Sequence, residues 1–522
     1  MVTFRYGIDR LTPGLALELC RGSIKGELTG KVIDRVLKNR TAVEDIVSEK
    51  SIVYGINTGF GPLCTTLISD EDTRKLQHNL LLSHAVGVGD LIPDEISRLM
   101  LILKVHSLAQ GYSGISLPTL QRILWHIDNN VTPCVPSQGS VGASGDLAPL
   151  AHLFLPLIGY GKVFYEGTII HAPSLLAEFS LKPLELGPKE GLALINGTQF
   201  IAAHAVKFIE RFQNCLDHAD IIAAMNLEAM LGSVKAFDPA LHELRPYEGT
   251  QYVAERIRKL IGNSEIVESH RNCHRVQDPY SLRCIPQVHG ASRNAFLHLK
   301  QLLNIELNSV TDNPIIFSKD KALSGGNFHG QPLALPLDYA AVAAAELGNI
   351  ADRRIYLSLM DTIEGLPKLL MKETGLNSGF MIPQYTTAAL VSENKSLCFP
   401  ASADSIPTSL GQEDHVSMGS ISARKALMIV ENLEKILGIE LFCAAQGFDF
   451  RKPLKSGPLI NACHEHIRSE IPHIDRDVYL GDFINTAILL VKNHTLAQLT
   501  AALALDLKTD FKNNTHELFG IY

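Results

Sequence analysis

The most unusual chemistry in this sequence belongs to the tripeptide Ala143-Ser144-Gly145, within the glycine-rich segment GSVGASGDLAP at residues 139–149. If this segment bends tightly, the Gly145 nitrogen can attack the carbonyl carbon of Ala143, because glycine has no Cβ that would prevent the approach. Loss of one water closes a five-membered ring. Loss of the Ser144 hydroxyl as a second water leaves an exocyclic methylidene, an electrophile that none of the twenty side chains supplies. On the tripeptide alone, an ordinary glycine-serine turn is the simpler interpretation.

The same segment does not fit a phosphate-binding loop. It lacks the Lys-Ser/Thr end of a P-loop and the spacing of a dinucleotide-binding turn, and no βαβ pattern surrounds it. The sequence also contains no G-x-S-x-G elbow and no H-E-x-x-H motif, so the common signatures of serine and zinc hydrolases are absent.

Two groups of histidines and cysteines suggest zinc, but their spacing argues against a metal site. Structural zinc sites use short paired spacings such as C-x2-C with a matching second pair, and neither group has them. We interpret these residues as loop histidines and buried thiols, and we expect no metal. The groups are His270, Cys273, His274 and Cys284, and then Cys463, His464 and His466.

Helical patterning dominates the chain that must position these residues. The stretch from Ile96 to Leu108 is apolar on nearly every side, as in a helix surrounded by other helices. After Pro336, an alanine-rich run predicts a helix with Asp338 as its N-cap. The sequence therefore predicts a mostly α fold. Further helices are predicted near 197–232, 284–310, 417–446 and 480–508, and short strands near Lys162 to Ile170 and Pro314 to Phe317.

Glycine, proline, asparagine and serine are concentrated in six segments between the predicted helices. Loops that interrupt a helical protein usually carry its functional residues, so these segments are the candidates for a site. They cover residues 54–62, 83–90, 139–149, 194–199, 324–330 and 408–415.

Composition limits the class of protein and its partners. With 522 residues, the chain predicts two to four domains or one large elongated assembly. Hydrophobic residues make up 46% and charged residues 20%, which excludes disordered, collagen-like and coiled-coil classes. The net charge of −8 gives no electrostatic footprint for nucleic acid or an anionic membrane, so we expect small neutral or zwitterionic partners.

Cysteine usage and the apolar runs predict a cytoplasmic location. Nine cysteines are scattered without repeated spacing, which is typical of reduced thiols rather than a disulfide framework. The N-terminal residues show no basic segment followed by an apolar one, so we expect no secretory signal. The most apolar runs are shorter than the roughly 20 residues that a bilayer span needs, so no membrane association is expected.

Eight motifs in order resemble the aromatic amino-acid ammonia-lyases, and among them the members that act on histidine. They extend from about residue 50 to residue 420. The resemblance implies an ammonia-lyase/fumarase-like fold. It also implies that Ala143, Ser144 and Gly145 form the 4-methylidene-imidazol-5-one prosthetic group (MIO) autocatalytically, with Asp146 placed to help the cyclisation and no metal or diffusible cofactor. The motifs are YGINTGFGP, LLSHAVGVG, GSVGASGDLAPLAHL, EGLALINGTQ, VQDPYSLRC, SGGNFH, NSGFMI and PTSLGQEDHVSM.

The resemblance also implies roles for individual side chains. Tyr54 matches the tyrosine proposed to remove the substrate β-proton, and holding it as a phenolate at pH 7 requires about 3 pKa units, or about 4 kcal/mol, of favourable surroundings. Arg283 matches a clamp for the substrate carboxylate, and it could supply part of that positive potential together with helix N-termini. The division of acid and base roles among Tyr54, Tyr280 and Glu413 stays open. Other family positions lining the substrate fall on Asn196, Gln277, Tyr280, Phe328 and, as a weaker match, Asn313.

Substrate choice follows from two positions in the resemblance. In relatives that act on tyrosine or phenylalanine, the pair matching Ser83-His84 tends to read His-Leu or Phe-Leu, and the position of Glu413 is generally Gln. His84 can hydrogen-bond an imidazole and Glu413 can accept from its N–H, whereas a phenyl ring would leave the buried Glu413 unpaired at a cost of a few kcal/mol. The resemblance therefore implies elimination of ammonia from L-histidine to give trans-urocanate, the first step of histidine degradation.

Two alternatives remain open. A tyrosine or phenylalanine ammonia-lyase, or an aminomutase, would share the prosthetic group, and a catalytically inactive helical scaffold would lack it. The resemblance further implies a smaller N-terminal domain, residues 1–110, carrying the Tyr54 and His84 loops. An elongated multi-helix domain, residues 111–522, then carries the prosthetic-group loop. It also implies a homotetramer whose pockets are built from several subunits.

Overall fold

The computed structural model describes residues 3–49, 53, 55–56, 70–271, 275–507 and 518–522. Helices dominate these residues and the strands are short, which confirms the prediction of a mostly α fold. The chain divides into two compact units. Unit 1 comprises residues 1–207, 301–338 and 400–424, and unit 2 comprises residues 208–300, 339–399 and 425–522. The predicted domain boundary near residue 110 stays a prediction.

Up to residue 195 the elements are helices of at most 19 residues and short strands, all within unit 1. They are β1 (Thr3–Arg5), α1 (Pro13–Cys20), β2 (Lys25–Glu27), α2 (Gly30–Ser48), α3 (Asp70–His84), β3 (Val88–Leu91), α4 (Asp94–Leu108), α5 (Leu117–Asp128), β4 (Thr132–Pro133), β5 (Pro136–Gln138), α6 (Leu147–Phe154), β6 (Lys162–Tyr165), β7 (Thr168–His171), α7 (Ala172–Glu178) and α8 (Glu190–Ile195).

The remaining elements include the longest helices of the described chain. They are α9 (Gln199–Ala229), α10 (Pro239–Glu243), α11 (Glu248–Leu260), α12 (Glu265–Ser269), α13 (Tyr280–Arg283), α14 (Ile285–Glu306), β8 (Ile315–Ser318), β9 (Lys321–Leu323), α15 (Gln331–Ser358), α16 (Met381–Leu397), α17 (Gly419–Asp449), α18 (Pro458–Glu470), α19 (Gly481–Lys492) and α20 (Thr495–Asp506).

Helix α4 is buried within unit 1. Every residue from Leu99 to Leu108 is buried, and the helix packs against α1 and α5. Asp94 and Glu95 in its first turn face the positive end of the helix dipole, which favours the start of the helix at this point. The prediction of a helix surrounded on all sides is confirmed.

The strands of unit 1 form small sheets rather than a common one. β1 pairs with β2 in parallel, β3 with β5 and β8 with β9 antiparallel, and β4, β6 and β7 make a three-stranded sheet. The β6–β7 hairpin turns through Glu166 and Gly167, both with positive φ, as a two-residue hairpin turn requires. The short strands predicted from the sequence coincide with β6, β7 and β8.

Two sequence predictions about helix ends are wrong. Asp338 does not begin a helix, because α15 begins at Gln331 and contains Pro336. The Asp338 carboxylate instead accepts hydrogen bonds from the Ser402 backbone N–H at 2.8 Å and the Ser422 hydroxyl at 2.9 Å. The predicted helix over 480–508 is two helices, α19 and α20.

The described residues contain no single helix long and apolar enough to cross a membrane. Only α19 and α20 taken together meet that test, and they are bent by 52° relative to each other. His494, which lies between them, has a left-handed backbone conformation with φ of 60°. A left-handed residue interrupts the helical hydrogen bonding, which explains the division into two helices.

Candidate active site

The tripeptide predicted to react lies in a tight turn of unit 1 between β5 and α6. Ser144 and Gly145 both have positive φ, 49° and 84°, and the serine value is uncommon for a residue with a side chain. The Asp146 N–H donates to the Gly197 carbonyl at 2.8 Å, and the Gly197 N–H donates to the Ser144 carbonyl at 3.4 Å. These two bonds hold the turn against residue 197 in a short parallel bridge.

Position 145 has room for glycine alone. A Cβ at Gly145 would overlap the carbonyl oxygen of Gly197, lie 2.6 Å from its carbonyl carbon and 3.0 Å from the Phe328 carbonyl oxygen. All of these are backbone atoms, which cannot rotate away as a side chain can. The backbones of Gly197 and Phe328 therefore enclose the tripeptide, and Phe328 is one of the site residues predicted from the sequence.

Asp146 directly follows the tripeptide and is fully buried. Its Oδ2 accepts hydrogen bonds from the N–H groups of Phe200 at 3.0 Å and Ile201 at 3.1 Å, in the first turn of α9. Burial raises the pKa of Asp146 to about 7, although these two hydrogen bonds oppose the rise. Its Oδ1 is buried and has no hydrogen-bond partner among the described residues. Asp146 therefore has an unused acceptor and a pKa suited to exchanging a proton near neutral pH.

Glu413 lies next to the tripeptide. The Ser144 hydroxyl donates to its Oε1 at 3.3 Å, and the hydroxyls of Thr408 and Ser409 donate to its Oε2 at 3.1 and 2.6 Å. Ser409 and Leu410 both have positive φ, so the loop that presents Glu413 adopts a conformation unfavourable for its residue types. Such strain is concentrated at functional sites, where the surrounding structure maintains it.

His84 is the last residue of α3, and its Nδ1 lies 3.0 Å from the Ser83 hydroxyl oxygen. Burial lowers the pKa of His84, while the Leu80 carbonyl and the negative charge of Glu413 oppose the decrease. The charge of Glu413 therefore acts on His84. Both residues that the resemblance assigned to the substrate imidazole belong to unit 1.

Asn196 and Asn313 are joined by a hydrogen bond. The Asn196 side-chain amide donates to the Asn313 carbonyl at 2.9 Å, and the Asn313 side-chain oxygen accepts from the Gly325 N–H at 2.8 Å. The Asn196 side-chain oxygen is buried without a partner among the described residues. Asn313, the weaker match from the sequence, is therefore in direct contact with a stronger one.

Sequence reasoning missed two buried lysines beside these residues. Lys104 donates from Nζ to the Asn196 backbone carbonyl, and Lys189 forms an ion pair with Asp312 at 2.7 Å. Asp312 also accepts from the Asn313 N–H at 2.6 Å. A signal was present for Lys104, because it is the single charged residue among the eight of LILKVHSL.

The other predicted residues belong to unit 2 or lie outside the described residues. Arg283 stacks on the Tyr280 ring, with its guanidinium carbon 4.4 Å from the ring centroid, and its Nε donates to the Asp278 carbonyl at 3.0 Å. Gln277 is exposed in the segment before α13. Tyr54 lies outside the described residues. The roles assigned to all the predicted site residues stay predictions.

The cysteines and histidines that suggested zinc do not assemble among the described residues. No group of three or more His, Cys, Asp or Glu side chains there could hold a metal ion. Cys463 is buried as a free thiol, and His464 contacts Asp449 at 3.1 Å. Cys273 and His274 lie outside the described ranges.

Comparisons with known proteins cover most of the chain. A family model described as aromatic amino acid lyase matches residues 11–469. The chain is 48% identical over 476 residues to a histidine ammonia-lyase of Natranaerobius thermophilus, covering 91% of this chain and 94% of that protein. It is 45% identical over 477 residues to a histidine ammonia-lyase of Vibrio cholerae, covering 91% and 93%. This chain belongs to the aromatic amino acid lyase family. The family resemblance inferred from the motifs is thereby confirmed.

Solved structures of other proteins have a similar backbone. A histidine ammonia-lyase from Trypanosoma cruzi matches with a TM-score of 0.88 at 40% identity, covering 96% of this chain and 95% of that one. A tyrosine aminomutase from Streptomyces globisporus matches with a TM-score of 0.90 at 33% identity, covering 96% and 99%. Because the two TM-scores are nearly equal, backbone similarity does not separate these activities, and the side chains of the site must do so.

Proposed function

We propose that this protein eliminates ammonia from L-histidine without oxidation, giving trans-urocanate. The observation that carries the proposal is the hydrogen bond from the Ser144 hydroxyl to Oε1 of Glu413 at 3.3 Å. A carboxylate beside the reactive tripeptide suits a substrate ring that donates a hydrogen bond. Relatives at 45 to 48% identity named histidine ammonia-lyase support the same substrate.

The proposal includes conversion of Ala143, Ser144 and Gly145 into MIO. The residues fit this group, since the turn has no room for a Cβ at position 145 and Asp146 Oδ1 is a buried acceptor without a partner in the described chain. We assign Asp146 to accept the amide proton that Gly145 loses on cyclisation. When present, the group supplies an electrophile that makes the substrate amine a better leaving group.

The chain's own side chains orient the substrate and move its protons. We assign His84 and Glu413 to the imidazole, and Arg283 to the carboxylate, because a guanidinium fork matches its two oxygens. Tyr54 removes the β-proton, and Tyr280 and Glu413 share the remaining acid and base roles. Asn196, Asn313, Gln277 and Phe328 line the pocket. The hydroxyls of Thr408 and Ser409 donate to Oε2 of Glu413 and fix the orientation of its carboxylate.

The proposed assembly is a homotetramer with pockets shared between subunits. Large apolar and aromatic side chains near the predicted site residues are strongly exposed in the single chain, including Val276, Leu410 and Tyr280, at 95%, 93% and 69%. Exposed apolar surface of this kind is typical of surfaces that other chains cover. The described cysteines are free thiols, which supports the proposed cytoplasmic location.

Intact mass and product analysis test the proposal. The wild-type chain should have the mass expected after loss of two water molecules, and Ser144→Ala should lack the methylidene and nearly all turnover while remaining folded. An unmodified wild-type mass would instead support the inactive scaffold. Urocanate formation from histidine should far exceed coumarate or cinnamate formation from tyrosine or phenylalanine. Equal rates on tyrosine would refute the substrate assignment.

A further inference from the structure

Lys104 is a buried ammonium in α4, in a run of ten buried residues from Leu99 to Leu108. It is 2% exposed, and its neighbours Leu103 and Val105 are buried as well. Burying an ammonium costs free energy unless it is paired. Burial lowers the pKa of Lys104 to about 7, and the negative charges of Asp312 and Asp146 oppose that decrease. Because burial of the Lys104 ammonium costs free energy, we expect this side chain to have a role that an apolar residue could not perform.

The hydrogen bond that Lys104 donates connects α4 to the segment that packs against the reactive turn. Its Nζ donates to the carbonyl oxygen of Asn196, the residue before Gly197. The peptide unit between these two residues is therefore held on its carbonyl side by Lys104. On the other side of Gly197, its own carbonyl accepts from the Asp146 N–H at 2.8 Å. Gly197 is thus fixed between a buried ammonium and the residue that follows the tripeptide.

Gly197 in turn determines the conformation of the tripeptide. Its φ is 127°, and its N–H donates to the Ser144 carbonyl at 3.4 Å. A shift of this segment would release both bonds that hold Ser144 and Asp146 in the tight turn. The Asn196 side chain is anchored separately through Asn313, so Lys104 is the contact that fixes the backbone carbonyl.

We propose that Lys104 is a positioning residue for the self-modification of the tripeptide, and this inference rests on the proposed formation of MIO. Its ammonium anchors the Asn196 carbonyl and thereby holds Gly197 against the turn in which Gly145 N approaches the Ala143 carbonyl carbon. In the reaction, Gly145 N bonds to that carbon, and the Ala143 oxygen leaves as water with the amide protons of Gly145 and Ser144. A second water carries away the Ser144 hydroxyl and the Ser144 Cα proton. No electrons are gained or lost.

The charge of Lys104 supports the same step in a second way. Its positive charge opposes the rise in the pKa of Asp146 that burial causes. Removing Lys104 therefore leaves Asp146 protonated to a higher pH and less able to accept the Gly145 amide proton. Both effects act through other residues, and Lys104 itself touches neither substrate nor reacting atoms.

Lys104→Met tests this role, with Lys300→Met as the matched control. Lys300 is 5% exposed, belongs to unit 2, and also donates from Nζ to a backbone carbonyl, that of Leu518 at 3.1 Å. The readout is the fraction of folded chains whose intact mass shows the loss of two waters, measured over time after synthesis. We expect at least a tenfold slower appearance of the modified mass in Lys104→Met and a wild-type rate in Lys300→Met.

The outcomes separate this inference from the proposed function. If the wild-type chain is modified and Lys104→Met is modified at the same rate, the role of Lys104 is refuted and the proposed function is not. If the wild-type chain itself is unmodified, the proposed function is refuted. If Lys104→Met does not fold, Lys104→Gln replaces it, because glutamine keeps an N–H donor without the charge. Slowed modification of folded Lys104→Gln supports the proposal, and modification at the wild-type rate contradicts it.

Discussion

Gly145→Ala is predicted to block modification of the tripeptide and to destabilise unit 1. The added Cβ would meet the carbonyl group of Gly197 and the Phe328 oxygen, so the two backbone segments must separate. Separation breaks the bonds from the Asp146 N–H to Gly197 and from the Gly197 N–H to Ser144, at about 1 kcal/mol each. The positive φ of 84° adds about 1 kcal/mol for alanine, which gives a loss of about 3 kcal/mol in the free energy of unfolding.

Gly167→Ala is the control for the backbone conformation. Gly167 lies in the β6–β7 turn with φ of 75°, and a Cβ at this position would have no heavy atom within 4 Å, so its substitution should cost only about 1 kcal/mol. Denaturant unfolding measures both losses, and intact mass measures modification. Gly167→Ala should lose two waters as the wild type does, and Gly145→Ala should lose none. Full modification of Gly145→Ala, or equal stability of the two variants, would refute the steric argument.

Three further predictions concern substitutions of His84, Glu413 and Glu228. His84→Leu should lower kcat/KM for histidine at least about tenfold, which is the effect of one lost hydrogen bond, and should leave the unfolding midpoint unchanged. An unchanged kcat/KM would show that His84 does not contact the substrate. Glu413→Gln should lower kcat about a hundredfold or more, as loss of an acid–base group does, and a kcat within threefold of wild type would contradict its role. Buried Glu228 accepts from the hydroxyls of Ser264 and Ser456, and burial raises its pKa to about 7. Between pH 4.5 and 7 the carboxyl group is neutral in the folded state and ionised in the unfolded state, so ionisation favours unfolding. The free energy of unfolding of the wild type should therefore fall by about 3 kcal/mol relative to Glu228→Gln over this range, and by no more above pH 7. Urea unfolding at several pH values measures this, and a pH-independent difference would contradict the assignment.

Local patterns in the sequence correctly predicted helices whose environment is the same on nearly every face. α4 is apolar on nearly every side from Ile96 to Leu108 and was predicted correctly, because apolar residues on all faces are typical of a buried helix. Asp338 was misassigned, since its partners, Ser402 and Ser422, lie more than sixty residues away along the chain. A side chain that satisfies distant groups looks like an N-cap when only its neighbours in sequence are considered.

The same distinction between contacts near in sequence and contacts distant in sequence applies to the candidate site. The tripeptide at Ser144 and the pair His84 and Glu413 could be identified through the family resemblance, because each lies within a short motif of contiguous residues. The anchoring of Gly197 by Lys104 could not, because it depends on a helix packing beside a loop almost a hundred residues later. The lysine in an otherwise apolar helix was visible, but its hydrogen-bond acceptor was not.

The central claim is elimination of ammonia from L-histidine, and the stoichiometry of products tests it most directly. Purified protein incubated with L-histidine should release urocanate, followed by its absorbance, together with an equal amount of ammonia, and Ser144→Ala should release neither. An aminomutase would convert histidine to an isomer without accumulating ammonia. Absence of urocanate from a wild-type chain whose mass shows the loss of two waters would contradict the assignment of histidine as substrate.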